Sequence, residues 1–172
     1  VWNSLSVGIA NALISTLLGT LGARAVTRYR FPGRRTITGF IMVPLVLPDI
    51  IIAIGLLVVV LQLGIGLSLP SVVVGHTLLC IPFAMAIMMS SFEGFDRSLE
   101  EASSDLGETA FWTFIRVTLP IVVPGLVASV LVTFTISLDE FIVAFFLTGT
   151  EPTIPIYIWS QLRFAAKLPS IL

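Results

Sequence analysis

The chain has 172 residues, of which 56% are hydrophobic and 11% are charged, and its formal net charge is −1. Soluble domains carry about 25% charged residues, so this composition and the mean hydropathy of +1.07 indicate a membrane protein. A near-neutral chain offers no basic face for nucleic acid. The single cysteine, Cys80, excludes a disulfide framework and a cysteine-based metal site.

Four apolar stretches are long enough to cross a membrane, since about 20 helical residues span the hydrocarbon core. They cover residues 1–23, 36–61, 72–92 and 115–147, and a fifth begins near Pro169 and is cut off. The sequence therefore predicts an all-α, polytopic helical membrane protein with about five core transmembrane helices, the last one truncated. We expect residues 1–172 to form a single transmembrane domain. Because the chain begins at Val1 without an initiator Met, we expect this domain to be incomplete at both ends.

The basic residues predict the orientation of these helices. The loop at 62–71 has no basic residue, whereas five arginines follow the first span: Arg24, Arg28, Arg30, Arg34 and Arg35. Lys and Arg accumulate on the cytoplasmic side, so we expect the first span to run from outside to inside. The segment at 93–115 is then cytoplasmic as well, and the segment at 149–169 lies outside although it contains Arg163 and Lys167.

A polar segment at 98–116 interrupts the apolar sequence and predicts a structured cytoplasmic loop. Ser98 and Glu101 have the Ser-x-x-Glu pattern of a capping box, so we expect a helix to begin at Ser98. Gly107 can adopt the left-handed conformation that ends this helix, and a second short helix is expected at 109–116. The residues alone leave two interpretations open: a docking element for a partner, or a solvated loop in which Glu101 only caps its helix.

The spacing within this loop resembles a known motif. The permease subunits of ABC importers carry a cytoplasmic sequence of the form E-A-A-x3-G-x9-I-x-L-P. This chain matches its spacing at Glu101-Ala102-Ser103, at Gly107 and at Val117-Thr118-Leu119-Pro120. Ser103 and Val117 depart from the motif, but both are compatible with similar packing. The spans around the loop are similar too, so the resemblance covers essentially the whole chain and implies the type I ABC importer permease fold.

The resemblance implies a partner for the loop. In the family this segment, at 98–116 here, forms a coupling helix that sits in a cleft of a separate ATPase subunit. The residues implied to dock are Glu101, Ala102, Ser103, Asp105, Gly107, Leu119 and Pro120. The chain has no G-x-x-x-x-G-K-[ST] sequence. ATP and Mg²⁺ are therefore implied to be used by the ATPase, and the chain is expected to be a transport subunit that is not an enzyme and binds no cofactor.

The rest of the assembly also follows from the resemblance. It implies an ABC ATPase dimer, a second, homologous permease subunit in a heterodimer, and an extracytoplasmic solute-binding protein that delivers the substrate. Membrane lipid surrounds the spans. The resemblance places the protein in the cell inner (plasma) membrane.

Three acids lie within the predicted spans: Asp49, Asp139 and Glu140. A charge in hydrocarbon costs roughly 2.5–3.5 kcal/mol, so such acids normally face a cavity or a partner. We expect Asp49 near the middle of a span that Pro44 and Pro48 kink. Asp139 and Glu140 point about 100° apart on a helix, so at most one of them faces a pore squarely.

Each of these acids also has a local interpretation. Asp49 is alternatively a hydrogen-bonded group at the kink, and Asp139 and Glu140 are alternatively an interfacial pair near a helix end. Apart from Arg116 at the very start of the fourth, no Lys or Arg lies inside a predicted span, and we interpret His76 as a packing histidine. A cationic substrate would neutralise the three acids.

The sequence around the acids resembles one branch of the ABC permeases. Similarity to the spermidine/putrescine branch is carried by Ser137-Leu138-Asp139-Glu140-Phe141 with Thr148-Gly149, and by Arg28-Tyr29-Arg30-Phe31 with Gly33. It implies import of polyamines by alternating access. The alternatives are a permease for another small solute, an ion-coupled carrier that uses Asp49 and Asp139, and an intramembrane enzyme. For an intramembrane enzyme, the sequence contains no suitable Ser/His pair and no metal-ligand set.

Overall fold

The computed structural model describes residues 1–163, which form helices joined by short connections. In chain order the helices are α1 Trp2–Arg28, α2 Arg34–Met42, α3 Asp49–Gln62, α4 Leu69–Glu93, α5 Ser98–Asp105, α6 Ala110–Thr113, α7 Leu119–Asp139, α8 Ile142–Leu147 and α9 Ile154–Leu162. A 3-10 turn at Val43–Leu45 follows α2, and a π-helical turn at Phe114–Thr118 joins α6 to α7. The all-α class predicted from the sequence is confirmed.

Three helices in the described part of the chain are long and apolar enough to cross a membrane by themselves: α1, α4 and Ala110–Asp139. The last of these, which we call the long helix, has 30 residues and comprises α6, the π-helical turn and α7. α1 packs against α4 and α7, and α4 also packs against α7. These three helices form the centre of the molecule, and the side chains at their mutual contacts are buried.

A glycine lets α1 and α4 approach closely. A Cβ atom added at Gly19 would lie 2.6 Å from the Cβ of Ala84 and 2.8 Å from the backbone nitrogen of Met85. Both distances are shorter than real side chains tolerate, so only glycine fits here. Small residues at helix contacts are typical of membrane proteins, because close backbone approach increases the van der Waals attraction between helices.

Buried polar side chains link the same helices. Asn11 of α1 donates from Nδ2 to the backbone oxygen of Thr133 in α7 at 3.1 Å. The hydroxyls of Thr16 and Ser129 lie 3.0 Å apart, and all of these side chains are buried. An unsatisfied polar group is costly in apolar surroundings, so these bonds favour one pairing of α1 with α7 over others.

The second predicted span, at 36–61, is broken rather than kinked. Arg34–Leu45 and Asp49–Gln62 meet at an angle of 103° and have the form of a broken span or a re-entrant loop. Pro48 precedes α3 in an extended conformation, with φ −59° and ψ 134°. A proline also disfavours helical backbone in the residue before it, so the interruption follows from the prolines but is larger than the predicted kink.

The fourth predicted span, at 115–147, is wrong at both ends. The long helix begins earlier, at Ala110, and ends at Asp139, where Glu140 is extended with φ −69° and ψ 115°. The helix α8 then starts separately, and α9 occupies part of the segment predicted as an outer loop. The predicted fifth span near Pro169 lies outside the described residues.

The connections gather at two ends of the bundle. At one end Arg28, the last residue of α1, contacts Glu100 of α5 at 3.0 Å. At the other end Asn3 donates to the backbone oxygen of Pro152 at 3.2 Å. The arginine-rich end of α1 and the α5 segment therefore share one end, as the orientation prediction requires. That this end is cytoplasmic stays a prediction.

Candidate functional site

The loop between α4 and the long helix, residues 94–109, is called here the α5 loop. The helix α5 begins at Ser98 as predicted, but the predicted capping box is wrong. Asp96 accepts the backbone N–H of Ser98 at 2.9 Å, while the side chain of Ser98 makes no cap. This hydrogen bond holds the pKa of the exposed Asp96 carboxyl below its ordinary value. Short Asp side chains compete well for such N–H groups.

Gly107 ends α5, as predicted. Its φ is +87°, a conformation that glycine adopts without steric cost. Its N–H donates to the backbone oxygen of Ser104 at 2.9 Å, and the N–H of Glu108 donates to Ser103 at 3.2 Å. These bonds satisfy carbonyls that the end of a helix leaves free. The chain can therefore reverse direction within a few residues.

The helix predicted at 109–116 is present from Ala110, but it does not end at Arg116, because this segment is the start of the long helix. Thr109 caps it by accepting the N–H of Trp112. A π-helical turn at Phe114–Thr118 then carries the helix into α7. This wide turn lies immediately before Pro120, whose missing N–H breaks the ordinary helical pattern. The α5 loop is consequently attached directly to a helix that crosses the bundle.

The residues implied to dock divide into an outward-facing and an inward-facing set. Those with exposed side chains or backbone are Glu101, Ala102, Asp105, Gly107 and Pro120. Ser103 is buried and its hydroxyl lies 3.0 Å from that of Thr113, whereas Leu119 is half-buried. Glu101 pairs with Arg97, the N-cap residue of the same helix, at 3.3 Å, and both side chains are more than half exposed.

Sequence reasoning missed two residues of the α5 loop, Leu106 and Glu100. Leu106 is 87% exposed, and Phe111 and Trp112 at the start of the long helix are exposed as well. A loop at a membrane surface exposes such residues to lipid or to a partner, and their clustering was the available signal. Glu100 was also missed, and it turns inward to contact Arg28 and Thr118. No local sequence pattern predicts the contact of Glu100 with Arg28 and Thr118.

The three predicted pathway acids lie together at the opposite end of the long helix. A cavity of ≈ 370 Å³, called here the acidic cavity, is lined by Asp49, Ile136, Asp139, Glu140, Phe141 and Ile142. A second cavity of ≈ 190 Å³ shares Asp49 and Glu140 with it and continues towards Pro44 and Leu79. The fold thus brings acids from two distant parts of the sequence to one space.

Asp49 was predicted to lie near the middle of a span. It lies instead in the first turn of α3. The break before α3 therefore places this carboxylate at a helix N-terminus, where the helix dipole favours negative charge. Its side chain is exposed. Its carboxylate makes no hydrogen bond or ion pair with residues 1–163 of this chain.

Asp139 and Glu140 differ more than their adjacency suggests. The predicted divergence of two side chains on one helix is wrong, because the helix ends at Asp139. Glu140 turns towards α8 and accepts the backbone N–H groups of Val143, at 3.0 and 3.1 Å, and Ala144, at 3.1 Å. Asp139 is exposed and its carboxylate has no such partner in the described part of the chain.

His76 is buried, as expected of a packing histidine, and it also lies beside one of the acids. It is 1% exposed, its Nδ1 lies 2.7 Å from Oγ of Ser137, and its Nε2 lies 3.3 Å from Oε2 of Glu140. The second contact is close enough for an ion pair but is not aligned as a hydrogen bond. The sequence analysis did not anticipate that Glu140 has an imidazole beside it, and an intramembrane histidine was the signal.

Comparison with known proteins agrees with this architecture. Residues 15–171 match the family model described as binding-protein-dependent transport system inner membrane component. The chain is 36% identical over 162 residues to the spermidine/putrescine transport system permease protein PotC of Escherichia coli (strain K12). It is 32% identical over 172 residues to the putrescine transport system permease protein PotI of the same strain.

These alignments cover 94% and 95% of this chain, and the chain spans 61% of the length of each relative. A probable molybdenum ABC transporter permease protein of Haloferax volcanii is 33% identical over 165 residues, with 91% of this chain and 61% of that protein covered. Relatives with different names therefore share the sequence pattern.

Solved structures show the same fold. The MetNI methionine ABC transporter in an inward-facing conformation gives a TM-score of 0.68 at 21% identity, covering 79% of this chain and 67% of that chain. A bacterial ABC transporter for the acidic polysaccharide alginate gives 0.67 at 21% identity, covering 95% and 60%. The chain belongs to the binding-protein-dependent transport system inner membrane component family, the permeases of ABC importers.

Proposed function

We propose that this chain is a permease subunit of an ATP-driven importer and that it moves polyamines such as spermidine and putrescine into the cytoplasm. The observation that carries the proposal is the acidic cavity, where Asp49 and Asp139 present carboxylates that lack a partner in the described residues. The proposal is also supported by sequence similarity, because the chain is 36% identical to a spermidine/putrescine permease. Carboxylates without an internal base favour a cation.

The chemistry of the cavity fits a chain of ammonium groups. Asp139 and Asp49 come from different helices and can each contact one ammonium. Phe141 lines the same cavity, and an aromatic face attracts a cation within about 6 Å of its centre. Glu140 has a different role, because His76 and the N–H groups at the start of α8 already engage its carboxylate. The role of Glu140 is to stabilise the structure around the acidic cavity.

The energy for import would come from a separate ATPase dimer that uses ATP and Mg²⁺. We propose that α5 docks in a cleft of this ATPase through Glu101, Ala102, Ser103, Asp105, Gly107, Leu119 and Pro120. The outward orientation of Glu101, Ala102, Asp105 and Gly107 supports this assignment. Docked acids in such a cleft meet basic groups of the partner, so Glu101 supplies the charged contact.

The remaining parts of the assembly belong to the same proposal. A second permease of similar fold pairs with this chain in a heterodimer, and a solute-binding protein delivers the polyamine at the end opposite α5. The transporter sits in the inner membrane and works by alternating access. The match to a family described as an inner membrane component supports this location.

The proposal is tested by reconstituting the full-length protein with its ATPase, its partner permease and its binding protein in proteoliposomes. We expect ATP-dependent uptake of radiolabelled spermidine and no uptake of molybdate, which serves as the anionic control because a molybdenum permease is among the relatives. ATP-dependent molybdate uptake without polyamine uptake would overturn the substrate assignment. Uptake of spermidine that is independent of ATP would favour an ion-coupled carrier.

A further inference from the structure

Glu100 directly precedes Glu101 in the sequence, but its side chain turns into the protein. Its Oε2 lies 3.0 Å from Nε of Arg28, the last residue of α1. Its Oε1 accepts a hydrogen bond from Oγ1 of Thr118 at 2.6 Å. The side chains of Arg28 and Glu100 are only 13% and 18% exposed, and Thr118 is buried. One carboxylate of α5 thus contacts both α1 and the long helix.

Arg28 is itself held firmly at this position. Its guanidinium carbon lies 4.9 Å from the ring centre of Phe95 and 6.0 Å from that of Phe92, and both rings are buried. Cations are attracted to aromatic faces at these distances, and a positive charge is also favoured at the C-terminus of α1. The group that Glu100 contacts is therefore fixed to α1 and to the end of α4.

Neighbouring acids of the α5 loop make a different kind of contact. Glu101 pairs with Arg97, the residue that directly precedes α5, and their side chains are 67% and 62% exposed. Glu108 pairs with Arg116 across an exposed turn, without reaching α1. Exposed pairs of this kind are weak and readily replaced by water. Glu100 is therefore distinguished from both neighbours by burial and by the helices that it joins.

We propose that Glu100 is a positioning residue that couples α5 to the membrane-crossing helices. The inference rests on the proposed function, because it requires an ATPase that displaces α5. Thr118 donates a short, directional hydrogen bond to the Glu100 carboxylate, and Arg28 forms a close ion pair with it that is not aligned as a hydrogen bond. A displacement of α5 is therefore passed to the long helix through Thr118 and to α1 through the charge of Arg28. The long helix ends at Asp139, so the movement reaches the acidic cavity.

The test uses the full-length protein assembled with its ATPase and partner permease in proteoliposomes. In a Cys80→Ala background, Asp139→Cys serves as a reporter in the acidic cavity, and its labelling by a charged thiol reagent is timed with and without ATP. We expect ATP to change the labelling rate in this parent. Glu100→Gln should reduce that ATP-dependent change by about tenfold, as expected from the loss of one charge-assisted hydrogen bond. The ATPase should remain bound and should still hydrolyse ATP.

Three further variants separate coupling from folding. Glu108→Gln is the matched control, since it removes an exposed pair of the same loop and should alter the ATP effect by less than about twofold. Thr118→Val removes only a hydroxyl and keeps the side-chain shape. It should weaken the ATP effect by about threefold, in line with a single hydrogen bond, even if Glu100→Gln fails to fold. The exchange Arg28→Glu with Glu100→Arg should restore part of the effect.

The outcomes distinguish this inference from the function on which it rests. An unchanged ATP effect in both Glu100→Gln and Thr118→Val would overturn the coupling role. Loss of ATPase binding in Glu100→Gln would also overturn it, because Glu100 would then belong to the docking surface. If ATP altered nothing in the parent, the proposed ATP-driven function itself would fail. Polyamine uptake is not needed for any of these measurements.

Discussion

The two ends of the long helix differ in whether the acidic side chains around them are paired with basic residues. At the α5 end, acidic side chains meet arginines within the chain, and the pairs are Arg28–Glu100, Arg97–Glu101 and Arg116–Glu108. At the acidic cavity, Asp49 and Asp139 have no basic partner among residues 1–163. Glu140, the third acid there, lies near His76. Three acids at the α5 end are thus paired with arginines, whereas two at the acidic cavity have no such partner in the described residues.

This difference separates structural charge from functional charge. A carboxylate that already meets an arginine can hold helices together or be exchanged for a contact with a partner protein. A carboxylate facing a cavity without an internal base must be solvated there or bind a cation, because burying it unpaired is costly. Substitutions at the two ends should therefore affect different measurements, namely ATPase binding at one end and substrate uptake at the other.

The largest effect is expected from Glu101→Lys at the α5 end. Truncating one partner of a buried charge pair across an interface costs about 2–5 kcal/mol, and reversing the charge adds repulsion. Binding of the ATPase should fall at least about 30-fold, measured by its retention on the purified permease complex. Arg97→Gln is the matched control, since it removes the local partner of Glu101 but leaves the presented carboxylate in place. Normal binding and substrate-stimulated ATP hydrolysis in Glu101→Lys would exclude docking through this residue.

The next effect is expected from Asp139→Asn in the acidic cavity. The amide keeps the size of the side chain but loses the charge, which should remove about 1.5–3 kcal/mol of interaction with an ammonium group. Uptake of spermidine should fall at least about tenfold, and Asp49→Asn should also reduce it. Glu151→Gln, an exposed acid at the same end, is the control. If both Asp variants transport normally, the cavity acids are structural and the polyamine proposal loses its physical support.

A smaller effect is expected from Gly107→Val in the α5 loop. Gly107 has a φ of +87°, and a Cβ added there meets no atom within 4 Å, so any effect comes from backbone strain alone. That strain costs about 1–3 kcal/mol for a β-branched residue. Retention of the ATPase should decrease, whereas Gly107→Asn should be tolerated because Asn adopts this conformation more readily. Equal behaviour of the two variants would show that the turn does not govern docking.

The smallest effect is expected from Glu140→Gln. Hydrogen bonds to a charged group contribute about 1.5–3 kcal/mol and neutral ones about 0.5–1.5 kcal/mol, so the free energy of unfolding should fall by about 1 kcal/mol. Thermal unfolding in detergent measures this change, and spermidine uptake should fall less than in Asp139→Asn. A larger loss of uptake than in Asp139→Asn, at unchanged stability, would reverse the roles assigned to the two acids.

Several features of the site could be predicted from local sequence. The turn at Gly107 was predictable because glycine is the residue that tolerates a positive φ. The start of α5 at Ser98 was predictable too, although the cap comes from Asp96. The continuity of the helix at 109–116 with α7 was not predictable, because it depends on a π-helical turn at Phe114–Thr118. Prolines allow more than one local solution, and packing selects among them.

The sequence by itself determined the membrane class, three of the crossing helices and the family, because hydropathy and a short motif are properties of contiguous residues. The tertiary structure alone decided which charges meet. Glu100 reaches Arg28 on α1, His76 of α4 reaches Glu140, and Asp49 shares a cavity with Asp139. These residues lie far apart along the chain. Their pairing depends on how closely α1, α4 and the long helix pack, and close packing depends on small residues and buried hydrogen bonds at the helix contacts.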